Sequence, residues 1–145
     1  MASPLAVYRG PGFQLQHPDD WLVEETDNGS EATVTLRPED DSTALWSLSI
    51  LRECPEPRDT LAAVIDAFAE EYDDIETDDQ TQQIAGRDAI GTDIEFVCLE
   101  LTNTAVLRIF QSPAFTAMLW VQATDHEWDD LHTELDAITA SIQLT

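Results

Sequence analysis

Apolar and polar residues alternate through the first third of the chain. Phe13, Leu15 and His17 alternate with Gln14 and Gln16, and Pro18-Asp19-Asp20 then turns the chain into Trp21-Leu22-Val23. This spacing predicts a strand, a tight corner and a second strand. Asp27-Asn28-Gly29-Ser30 is a hairpin signal, after which Ala32, Val34 and Leu36 alternate with Thr33 and Thr35. Trp46, Leu48 and Ile50 alternate in the same way with Ser47 and Ser49 beyond a polar loop from Arg37 to Ser42. Such strands bury one face and leave the other to solvent.

Past the breaker Pro55-Glu56-Pro57 the period changes. Leu61, Val64, Ile65, Phe68 and Tyr72 fall on one face of a helix, with Asp59 or Thr60 expected as its cap. The acidic stretch from Asp73 to Asp79 should end that helix and lead into an edge strand near Thr81 to Ile84, closed by the turn Ala85-Gly86-Arg87-Asp88. Three strands are expected next, Ile90 to Leu101, Ala105 to Gln111 and Phe115 to Ala123, joined by Thr102-Asn103-Thr104 and Ser112-Pro113-Ala114. Pairing Glu100 with Ala105 and Gln111 with Phe115 puts Ile94, Phe96, Cys98, Leu107, Ile109, Ala117, Leu119 and Val121 on one face. It puts Glu95, Val97, Leu99, Leu101, Val106, Arg108, Phe110, Met118 and Trp120 on the other. Both faces are apolar, so each needs a cover. Thr124-Asp125-His126-Glu127 has the spacing of a capping box, and Trp128, Leu131, Leu135, Ile138 and Ile142 form a second apolar stripe. One helix for each face gives an α+β fold, an antiparallel β-sheet sandwiched between helices. Residues 1–145 read as a single domain, with 1–11 a loose N-terminal extension.

Charge narrows the choice of partner. The chain carries 30 Asp and Glu against six Arg and no Lys, a formal net charge of −24. No basic patch exists to neutralise phosphates, which argues against nucleic acid and anionic membranes and for a basic protein partner. The same excess of acid resembles cytosolic proteins of salt-accumulating organisms. The start of the chain lacks the charged-then-apolar pattern of a signal peptide, and stretches such as Phe96-Val97-Cys98-Leu99 are too short to span a bilayer. A soluble, cytoplasmic protein is expected, with Cys54 and Cys98 reduced and packed.

The order of elements, the segment Gly12-Phe13-x-Leu15-x-His17-Pro18-x-x-Trp21 and the turn Gly86-x-x-Ala89 resemble the Mog1/PsbP-like α/β/α sandwich from Gly12 to Ile142. Tyr or Phe commonly stands in place of His17 in that family. The resemblance implies a binding module. Its known members include an extrinsic photosystem subunit, a factor that binds a small nuclear transport GTPase, and bacterial chaperones of type VI secretion effectors. The acidity of this chain departs from the photosystem subunit.

No motif for chemistry is complete. His126 and His132 are six residues apart, about 240° around a helix, and cannot share a face. The run Asp73 to Asp79 lacks the glycine turn and distal Glu of a calcium loop. There is no Gly-x-Ser-x-Gly elbow and no phosphate-cradling glycine loop. The expectation is therefore a non-catalytic protein-binding or adaptor domain, with no cofactor, no metal and no catalytic residue. A chaperone for a secreted effector's apolar segment and a small hydrolase or metal-dependent enzyme are the alternatives. The candidate partner-binding residues are Arg108, Trp120, Met118, Leu99 and Leu101. Arg108 is a mid-strand cation that either pairs with Glu95 or anchors a ligand in an apolar groove beside Trp120.

Overall fold

A computed structural model describes residues 4–145. Ten strands and two helices follow in the order β1 (Leu5–Gly10), β2 (Phe13–Pro18), β3 (Leu22–Asp27), β4 (Glu31–Arg37), β5 (Leu45–Leu51), α1 (Pro57–Glu71), β6 (Glu76–Ile84), β7 (Arg87–Cys98), β8 (Leu101–Gln111), β9 (Thr116–Thr124), α2 (Asp125–Ala140) and β10 (Gln143–Leu144). The protein is α+β, and its strands form two sheets. Seven strands order as β3-β4-β5-β9-β8-β7-β6 and three as β1-β2-β10. Every pairing is antiparallel.

The second sheet corrects two expectations. Residues 5–10 are not a loose extension, because they pair with β2 from Leu5↔Pro18 to Gly10↔Phe13; residues 1–3 lie outside the described part. The strand Phe13–Pro18 also leaves the main sheet. It turns Phe13 and Leu15 into the core below α2, and Gln14 pairs with Gln143 after that helix.

Two further expectations fail for local reasons. The β7–β8 turn falls at Leu99-Glu100, not at Thr102-Asn103-Thr104: both residues take positive φ, 52° and 67°, as a two-residue hairpin requires. Asn103 is instead 7% exposed inside β8, its Nδ2 donating to Leu101 O. Helix α1 starts at Pro57 rather than after Asp59 or Thr60, because proline's fixed φ suits the first helical position and the Glu56 side chain accepts from Asp59 N at 3.2 Å.

The slip with the largest consequence lies between β8 and β9. Gln111 opposes Thr116 rather than Phe115, and one residue exchanges every side chain of β9 between faces. Met118 and Trp120 now share a face with Ile109 and Leu107, while Ala117, Leu119 and Val121 share one with Phe110, Arg108 and Val106. The first face packs on Leu61, Val64, Ile65, Phe68 and Tyr72 from the α1 region, and the second on Trp128, Leu131, Leu135 and Ile138 of α2. Each covered face gains about 2 kcal/mol per large apolar side chain withdrawn from water.

Helix α2 is held at its start by the expected capping box. The Thr124 hydroxyl accepts from Glu127 N at 3.3 Å, and Glu127 Oε1 accepts from Thr124 N at 3.0 Å. Glu127 reaches further, accepting from Thr43 N at 2.6 Å, Thr43 Oγ1 at 2.8 Å and Ala44 N at 3.3 Å, which ties the β4–β5 loop to the helix. Burial pushes the Glu127 carboxyl up, but the bonds from Thr124 and Thr43 together outweigh it and hold the group below its ordinary value. A depressed folded value gives stability that is complete above pH 4.5 and is lost as pH falls through the folded value. Glu127→Gln should therefore cost about 1 kcal/mol in urea unfolding at neutral pH, and the gap should close in acid. A gap independent of pH would contradict the clamp.

Candidate functional site

Helix α1 covers the main sheet only in part. Its Phe68 ring lies 5.3 Å from Phe96 and 5.3 Å from Trp120 between centroids, and Tyr72 lies 4.4 Å from Phe96. These contacts seat the helix over β7, β8 and β9. The neighbouring strands β4 and β5 present Thr33, Thr35, Ser47 and Ser49 on that side, small polar residues that give a helix nothing to bury. On the flank facing them α1 carries Ala63 and Ala67, whose short side chains leave a trough of about 860 Å³.

Apolar groups floor the trough. Leu45 and Leu51 lie on the otherwise polar face of β5, and Met118 and Trp120 lie beside them on β9, in the register Ser47↔Trp120 and Ser49↔Met118. All four are half-buried. Trp120 Nε1 donates to Gln122 Oε1 at 3.1 Å, so the polar edge of the indole is satisfied within the sheet. Glu31, Asp59 and Glu71 stand among the lining residues, and among the described residues no cation lines the trough. Burial pushes the Tyr72 phenol up, with Cys98 and Glu71 adding to the shift, so Tyr72 stays a neutral hydroxyl.

The candidate residues from the sequence separate into three places. Met118 and Trp120 are in the trough. Leu99 and Leu101, 90% and 55% exposed, sit at the tip of the β7–β8 hairpin and line none of the described cavities. Arg108 is 7% exposed on the opposite face of the sheet, turned away from Trp120 by the one-residue slip. Its ion partner is Asp93 rather than Glu95, at 2.9 Å. Leu45, Leu51, Ala63 and Ala67 were missed. Their signal was present, since Leu45 and Leu51 interrupt a serine face at both ends and two alanines stand one helical turn apart.

Both cysteines are free thiols, and Cys54 is exposed rather than packed, in a left-handed backbone conformation with φ of 54°. Among the described residues no group of three or more His, Cys, Asp or Glu is placed to hold a metal ion, and no helix is long and apolar enough to cross a membrane.

Comparison with protein-family models and with curated protein sequences gives no match. Solved structures do match. The chain is similar to the cyanobacterial PsbP (CyanoP) of Synechocystis, with a TM-score of 0.71 and 14% identity over 100% of this chain and 94% of that one. It is also similar to LpqN of Mycobacterium tuberculosis, a protein involved in cell envelope biogenesis, with a TM-score of 0.65 and 16% identity over 98% of this chain and 91% of that one. The fold is PsbP/Mog1-like, as the segment from Gly12 to Trp21 and the Gly86 turn suggest.

Proposed function

We infer that this is a non-catalytic binding domain that holds an apolar segment of a partner protein in the trough beside α1. The trough itself carries the reading: an apolar floor of Leu45, Leu51, Met118 and Trp120 beneath an acidic rim of Glu31, Asp59 and Glu71. Its complement is an amphipathic segment with apolar residues facing the floor and Lys or Arg facing the rim. The charge of −24 speeds encounter with such a segment, and the floor retains it after salt has screened the charge. On this reading the architecture is an α/β/α sandwich whose α1 layer is left incomplete, and the missing part of that layer is where the partner lies. A chaperone holding an effector's apolar helix would use the same trough.

An amphipathic Leu/Lys peptide, labelled for fluorescence anisotropy, tests the inference at low and high salt. Ala67 is exposed on α1, so Ala67→Trp should fill the trough at little cost to stability. It and Trp120→Ala should each weaken peptide binding by about tenfold, with affinity persisting in high salt. Binding that salt abolishes, or that neither substitution changes, would sink the idea.

A further inference from the structure

A second cavity, of about 510 Å³, lies on the other face of the main sheet under α2. Val106, Leu119, Val121, Trp128 and Leu135 form its apolar side, Gln82, Gln83, Asp136 and Thr139 stand on its polar side, and Arg108 is the buried charged group within it. The guanidinium is fixed on two sides. Nε donates to Gln82 Oε1 at 2.9 Å, and Nη1 donates to Leu107 O at 2.9 Å and to Thr92 O at 3.4 Å. Asp93 Oδ1, 2.9 Å from Nη1, stands beside it as a counter-ion and accepts no hydrogen bond from the described residues. Nη2 hydrogen-bonds to no described residue. A rigid donor held by its neighbours, with one nitrogen open to a cavity of ligand size that has an apolar and a polar side, is the arrangement of a small-molecule site.

The chemistry of the occupant follows from the charges. Asp93 already neutralises Arg108, and Asp136 lines the same cavity in a chain of net charge −24. A carboxylate would enter against that field, whereas a neutral acceptor completes Nη2 without adding charge. We propose that the cavity under α2 binds a small neutral amphiphilic molecule through a carbonyl oxygen that accepts from Arg108 Nη2, its apolar part lying against Val106, Leu119 and Trp128. The trough beside α1 takes no part, so this site stands or falls independently of peptide binding.

Hexanamide and hexanoate, matched in size and differing in charge, are the probes, added to the isotope-labelled full chain and followed by backbone amide NMR. Hexanamide should shift the amides of Leu119, Val121 and Leu135, and hexanoate should bind more weakly. Arg108→Met should weaken hexanamide by about tenfold. Because that change strands Asp93, the double variant Asp93→Asn with Arg108→Met removes both charges together and keeps the test open if the single variant fails to fold. Shifts confined to residues of the α1 trough, an unchanged affinity in the double variant, tighter binding of hexanoate, or no binding of hexanamide would each overturn the proposal.

Discussion

Gly91→Ala should destabilise the protein by about 3 kcal/mol, more than any other single-methyl addition we would expect in this sheet. Gly91 opposes Arg108 in the pairing of β7 with β8, and a Cβ there would lie 1.9 Å from Leu107 O, 2.9 Å from Leu107 C and 2.9 Å from Arg108 Cδ. Two obstructions of different kind are combined. The arginine stem can swing aside; the carbonyl belongs to the backbone of a strand paired on both edges and cannot. The missing side chain also explains the course of Arg108. Its stem crosses β7 at Gly91 and so reaches Gln82 on β6, the strand beyond. Chemical denaturation of Gly91→Ala and of Gly91→Ala with Arg108→Ala separates the causes. If the carbonyl dominates, removing the arginine stem rescues nothing. A single variant within about 0.5 kcal/mol of the parent would show that β7 has room to move.

What the sequence reveals depends on how far the determining interaction lies along the chain. The stripes Leu61 to Tyr72 and Trp128 to Ile142, the alternating strands Ala32 to Leu36 and Trp46 to Ile50, and the Thr124 capping box are set by near neighbours, each about one helical turn from the next or within one strand. Their burial follows the pattern read from sequence. Hairpin register is different in kind. It depends on whether the Ser112 turn encloses an odd or an even number of residues, and a turn of four, closed by Ser112 N donating to Phe115 O at 2.9 Å, is no less compatible with that composition than a turn of three. That single residue moved Trp120 and Met118 away from Arg108 and so divided one imagined groove into two separate cavities. The Leu99-Glu100 turn was hidden for another reason: neither residue is one that normally supplies positive φ, while Asn103 nearby is. The trough depends on what α1 fails to cover, and an absence of packing leaves only the weak trace of two leucines beside serines and two alanines on a helix.

Trp46→Ala should cost about 4 kcal/mol, a large share of the roughly 5–15 kcal/mol that holds a domain of this size together. Trp46 is completely buried on β5, between Leu36 and Val121 in the register of its neighbours, and it binds both layers of the larger core at once. Its ring fills the space between sheet and α2, and its Nε1 donates to Thr139 Oγ1 at 2.9 Å. Thr139 in turn donates to Leu135 O at 3.3 Å, so the indole is joined to the helix backbone through one hydroxyl. Volume and hydrogen bond can be measured apart. Thr139→Val keeps the shape and leaves Nε1 unpaired in the core, which should cost about 1–3 kcal/mol, while Trp46→Phe removes the donor and part of the volume. With both changes made, the unpaired donor no longer exists, so the double variant should be less destabilised than the sum of the singles by about 1 kcal/mol in urea unfolding. Strict additivity would mean that Trp46 holds α2 by packing alone, and that the hydrogen bond exchanges evenly with water.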